Sequence, residues 1–153
     1  MKSIDQWLSE YGESHQNPTN KMVHFVCVPV IFFTVVGLLY CINLFTLSSG
    51  YPITVAHVVL LFVAVYYSLL SIPLAIGMVL YGVLCLFVCQ AIQQATGQLL
   101  LVSIGLFVLA WIAQFWGHKV EGKKPSFLKD LQYLMIGPAW IMSFIFKKVG
   151  LSV

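Results

Sequence analysis

Histidine is the residue type in this chain best suited to metal or proton chemistry, and the sequence has four: His15, His24, His57 and His118. Two short polar stretches carry three of them. The first is His15-Gln16-Asn17-Pro18-Thr19-Asn20-Lys21-Met22-Val23-His24, and the second is Gln114-Phe115-Trp116-Gly117-His118-Lys119-Val120-Glu121. Asn20 and His24 are four residues apart, so they share one face of a helix. Trp111, Gln114, His118 and Glu121 follow one another at +3, +4 and +3 and share a face of another. Three imidazoles suit a borderline ion such as iron, zinc or copper. Asn17, Asn20, Gln114 and Glu121 are candidates to form a second ring of partners that fixes the imidazoles around it.

These stretches flank an apolar block. Between Lys21 and Lys119 there is no Asp, Glu, Lys or Arg. The 153 residues are 60% hydrophobic and 8% charged, against about 25% charged in ordinary soluble domains. Such a block reads as membrane-spanning helices. The length allows one domain, and the expected fold is all-α: a polytopic membrane protein with four transmembrane helices. The spans are expected from Pro18 to about Phe45, kinked at Pro29, then from about Ile53 to Leu70, Leu74 to Ile92 and Gln98 to Gly117. Turns are expected at Leu47–Pro52, Ser71–Pro73 and Gln93–Gly97.

Residues 1–17 form the N-terminal element. Ile4, Trp7, Leu8 and Tyr11 make one apolar stripe, so a short helix lies in the membrane interface or packs on the bundle end. Residues 18–117 form the four-span bundle and 118–153 a cytoplasmic or interfacial tail. Within that tail, Phe127 to Phe146 is apolar but interrupted by Gly137-Pro138, which predicts a broken helical segment, re-entrant or interfacial, that could cap the site. An even number of crossings returns His15, His24 and His118 to one membrane face. All eight basic residues are lysines on the two ends, which predicts that both termini are cytoplasmic. Lipid headgroups, not nucleic acid, are the partner expected for this charge. No cleavable signal peptide is evident, so the chain is expected to be retained whole, and its compactness favours a bacterial inner membrane over the endoplasmic reticulum.

His57 falls on the opposite side. It is 13 residues, or roughly 20 Å, from the near-face end of its helix at Leu70, so it is expected to bond a neighbour and not the ion. Cys27, Cys41, Cys85 and Cys89 all lie in apolar runs and read as small hydrophobes. The sequence has no Gly-rich phosphate loop, no nucleophile elbow and no Cys-x-x-Cys pair. From the residues alone, two other readings stand beside a metal enzyme. One is a metal-independent lipid-binding or scaffold membrane protein, and the other is a zinc hydrolase acting on a lipid.

Tyr11 to Pro29, in the pattern Y-x-x-x-H-x-N-P-x-N-x-x-x-H-x-x-x-x-P, resembles the N-terminal signature of the 2-hydroxy-fatty-acid dioxygenase family of small fungal and bacterial membrane proteins. Gln114-Phe115-Trp116-Gly117-His118, with Glu121, Pro125 and then Gly137-Pro138, resembles its second signature. The likeness runs over nearly the whole chain. It implies an Fe(II)-dependent dioxygenase of fatty-acid α-oxidation that uses O2 to shorten a long-chain 2-hydroxy fatty acid by one carbon, without 2-oxoglutarate. The family's histidines correspond to His15, His24 and His118, the implied iron ligands, and His57 has no counterpart. The chain departs from the family near the end of the C-terminal apolar segment: where many members have a Glu, it has Ser143, Phe144 and Phe146. Lys21, Lys119 and Lys123 are candidates to attract the substrate carboxylate.

Overall fold

The computed structural model describes residues 3–122, 133–148 and 150. Within them the chain forms six helices and one small hairpin. Lys123, Pro125 and the first part of the expected tail segment, from Phe127, lie outside the described residues.

Helix α1 (Ile4–Glu13) starts at a capping box: the Ser3 hydroxyl accepts from the Gln6 amide, and the Gln6 side chain accepts from the Ser3 amide. The predicted stripe buries Ile4 and Tyr11 and leaves Trp7 and Leu8 half-buried. It packs on the C-terminal helix. Helix α2 (Pro18–Tyr40) is capped by Asn17, whose Oδ1 accepts from the amides of Thr19 and Asn20, with Pro18 in the first turn. Pro29 lies inside it, and the Pro29 carbonyl accepts from the Tyr81 hydroxyl at 2.8 Å.

The first span ends earlier than expected, at Tyr40 and not near Phe45. Asn43–Thr46 (β1) pairs antiparallel with Pro52–Thr54 (β2) across a turn containing Gly50 at φ 82°. The aromatic and β-branched residues Phe45, Thr46, Ile53 and Thr54 suit a ladder, and the Ser-Ser-Gly turn permits it. Helix α3 is Val55–Leu70, α4 is Ile72–Thr96 and α5 is Leu99–Glu121. Two other boundaries move. Residues 93–96 continue α4 up to the left-handed Gly97 (φ 66°), and His118 to Glu121 complete α5, which stops at the left-handed Gly122 (φ 75°).

Helices α2 and α5 are antiparallel and closely packed. Gly117 lies against Asn20 and Val23 at one end, and Gly37 lies against Ser103 and Leu99 at the other. Small residues at such positions let membrane helices approach. Helix α4 packs on α3, where Gly82 meets Leu60. The second half of the tail is helix α6 (Ile136–Lys148). Gly137 and Pro138 sit in its first turn, where a missing N–H costs nothing, directly after the turn at residues 133–135. Its Met142 and Phe146 face Gly77 of α4, and the Tyr67 hydroxyl of α3 donates to the Met135 carbonyl just before it.

Large apolar side chains also cover the outside, among them Leu61, Phe62, Leu80, Phe87, Leu101 and Leu109. In water that surface would be costly, whereas in lipid it is the normal one. Helices α2, α4 and α5 are long and apolar enough to cross a membrane. Helix α3 has 16 residues, about 24 Å of rise, short of a roughly 30 Å hydrocarbon core. Cys27, Cys85 and Cys89 are buried thiols and Cys41 is exposed.

Candidate metal centre

Three elements bring the site together. His15 lies in the turn after α1, where its amide donates to the Gly12 carbonyl. His24 is in the second turn of α2 and His118 in the last turn of α5. All three are at most 4% exposed, and one nitrogen from each lies within 4.8 Å of the others. Ring centroids are 4.1 Å apart for His15 and His24, 4.8 Å for His24 and His118, and 5.5 Å for His15 and His118, each pair edge to face. Among the described residues this is the one His, Cys, Asp and Glu group with metal-holding spacing.

The hydrogen bonds fix one tautomer. His15 Nδ1 is 2.6 Å from the Tyr11 carbonyl oxygen, which only accepts, so Nδ1 carries the proton. His15 Nε2 then holds a lone pair, and it faces His24 Nδ1 at 3.1 Å. Two lone pairs cannot face each other across that gap with nothing between. Either His24 Nδ1 carries a proton or a cation lies between the nitrogens. With the proton on Nδ1, the lone pair of His24 is on Nε2, which is buried with no hydrogen-bond partner among the described residues. A buried basic nitrogen left this way costs free energy unless something binds it. The 3.1 Å separation also suits two donors on one ion with bonds of about 2.0–2.1 Å. The residues therefore fit a divalent metal bound through imidazole.

Glu121, expected to help fix the rings, clamps the chain around them. It accepts from the amides of Gln16 (3.0 Å) and Asn17 (2.8 Å) and from Asn20 Nδ2 (3.2 Å). Asn20 Nδ2 also donates to the Ser14 carbonyl at 3.2 Å. The segment bearing His15 is thus tied to the end of the helix bearing His118. Asn17 contributes as the α2 cap. Gln114 is buried one turn deeper than His118, beside a 20 Å³ cavity that Tyr11, Val28, Ile31 and Trp111 also line. Lys21 extends over the Phe144 ring at 6.0 Å.

His57 stays apart, as its position predicts. Its Nδ1 accepts from the Thr54 amide at 3.1 Å, so its Nε2 donates to the Tyr51 hydroxyl at 3.1 Å. It closes the start of α3.

Two residues beside the centre were not among the sequence candidates. The Tyr11 ring stacks on His15 (4.2 Å, 15°), and its hydroxyl is 3.1 Å from His24 Nδ1. The Trp140 ring of α6 lies 5.4 Å from His15 and 5.3 Å from Tyr11. A signal for Tyr11 was present, four residues before His15 on the apolar stripe. None was present for Trp140, whose approach depends on how the tail folds back.

The family model described as "2-hydroxy-palmitic acid dioxygenase Mpo1-like" matches residues 1–149. The chain is 32% identical over 144 residues to the 2-hydroxy-palmitic acid dioxygenase MPO1 of Saccharomyces cerevisiae, covering 92% of this chain and 78% of the yeast protein. No solved structure matches. An all-helical chain with membrane-length helices, three buried histidines in one group and a family match over almost its whole length belongs to the Mpo1-like family of 2-hydroxy fatty acid dioxygenases.

Proposed function

We propose that this protein is an Fe(II)-dependent dioxygenase that uses O2 to shorten long-chain 2-hydroxy fatty acids by one carbon, with His15, His24 and His118 as the iron ligands. The observation that carries this reading is the convergence of three buried imidazoles, one of them, His24, with an Nε2 that has no hydrogen-bond partner among the described residues. When bound, Fe(II) supplies the redox chemistry that O2 requires, with coordination positions left over from three protein ligands. The substrate suits those positions, because its carboxylate and adjacent hydroxyl form a chelating pair. Its negative charge also offsets an ion held by neutral ligands alone.

The surroundings favour an amphiphile. Trp140, Tyr11 and the cap residues wall the centre from water, and the apolar helix faces offer the acyl tail the same surroundings as lipid. Four crossings, with α3 as the short one, fit the bonds from Glu121 to Gln16 and Asn17. Those bonds bring the start of α2 and the end of α5 together, which supports a reading with both on one face and an even number of passages. The lysines near both ends favour the cytoplasmic face of the membrane for both termini.

The test is an incubation of the purified, iron-loaded protein with 2-hydroxypalmitate and O2, without 2-oxoglutarate. The reading expects O2 uptake and a fatty acid one carbon shorter. Iron-loaded protein that consumes no O2 with this substrate contradicts it. Turnover supported by zinc alone, with no O2 consumed, points to hydrolysis instead.

A further inference from the structure

We propose that Tyr11 is a positioning residue of the metal centre, setting His15 through its backbone carbonyl and His24 through its hydroxyl. The inference rests on the reading of the three histidines as an iron site. Tyr11 is 5% exposed and touches two of the three imidazoles in three ways. Its carbonyl accepts from His15 Nδ1 at 2.6 Å, its ring lies flat on His15, and its hydroxyl is 3.1 Å from His24 Nδ1. The carbonyl holds His15 by the nitrogen opposite Nε2, and the hydroxyl meets His24 at Nδ1, which also faces His15 Nε2 at 3.1 Å. With the proton held on Nδ1, the lone pair of His24 is on Nε2, which is buried with no hydrogen-bond partner among the described residues.

The hydroxyl is itself held from behind. Tyr133 and Trp140 pack on the Tyr11 ring, with centroids at 5.4 and 5.3 Å. Gly137 leaves the space it occupies, since a Cβ there would lie 3.1 Å from the Tyr11 oxygen. The two elements outside the long helices, α1 and α6, therefore meet at one phenol, and the tail acts on the centre through it. Partners of this kind fix the tautomer and direction of metal-binding imidazoles, and losing one costs about 10- to 100-fold in metal affinity or activity.

Tyr11→Phe tests this with little else changed, because it keeps the ring, the stacking and the backbone carbonyl. Co(II) is titrated anaerobically into the full-length protein in detergent. Its Kd and visible d–d bands are recorded, alongside the Tm of the metal-free protein. The expected result is a Kd weaker by about 10- to 100-fold and altered d–d bands, with the metal-free Tm near that of the wild type. Wild-type cobalt binding together with an unchanged Kd and spectrum in Tyr11→Phe overturns the proposal and leaves the metal reading standing. Wild-type protein that binds no cobalt overturns both. Should Tyr11→Phe fail to fold, Gly137→Ala crowds the same hydroxyl from the other side. The expected result is the same spectral change, and a wild-type spectrum in that variant counts against the role of Tyr11.

Discussion

Glu121 shows how a single side chain can matter to a metal site by holding the backbone around it. Its carboxylate takes three donors from residues 16 to 20, two of them main-chain amides. Glu121→Gln keeps one acceptor oxygen and loses the charge. It is expected to cost about 1 kcal/mol, less than a buried charged hydrogen bond because the group is partly exposed, seen as a lower Tm in detergent. Iron binding in that variant is expected to weaken without being abolished, since the imidazoles remain. His57→Ala provides the contrast. It removes the cap of α3, at about 1 kcal/mol, and is expected to leave iron content and O2 uptake unchanged. Loss of iron in that variant would contradict the separation of the two ends. His15, His24 and His118 were readable as a group because side-chain type and helical spacing are local properties. The bonds of Tyr11 were not readable, because they depend on the angle at which α1 turns into α2 through residues 14–17.

Among the elements, the packing of α2 on α5 decides how far apart His24 and His118 lie. A Cβ at Gly117 would fall 2.6 Å from Asn20 Oδ1 and 3.3 Å from Val23 Cγ1. Asn20 cannot move freely aside, because its amide nitrogen is bonded to Ser14 and Glu121. Gly117→Ala is therefore expected to destabilise by about 1–3 kcal/mol and to weaken iron binding as the helices part. Gly105, on the same helix with nothing within 4 Å, is the control. Gly105→Ala is expected to be neutral or stabilising by up to about 1 kcal/mol, with iron binding intact. Thermal denaturation and metal analysis of the two variants side by side check both expectations. The apolar periods and caps located the helices well. They missed the end of α2 because Cys41 to Phe45 is as apolar as the span before it, and only pairing with Pro52–Thr54 turns it into a strand.

For the molecule as a whole, the bonds between Glu121 and the α1–α2 junction hold the start of α2 and the end of α5 together. With α3 as a fourth crossing, tags at the two termini are expected to show the same accessibility in sealed vesicles, and the exposed Cys41 at the hairpin end the opposite one. Termini on opposite faces would contradict the four-crossing arrangement. That the chain has membrane-length apolar helices was legible because charge is absent from one long block and gathered at its flanks, a signal that needs no side-chain detail. That the tail could cap the site was an expectation from its apolar run, but the contacts it makes were not legible, since they rest on Trp140 and Met142 finding Tyr11 and Gly77 across the fold.

The most direct measurement is iron per chain after anaerobic loading and desalting, in the wild type and in His15→Ala, His24→Ala and His118→Ala. The proposed centre predicts about one iron per wild-type chain, bound through nitrogen ligands at about 2.0–2.1 Å by X-ray absorption, and little or none in each variant. Wild-type protein without stoichiometric iron, or variants that keep it, would contradict the three-histidine site.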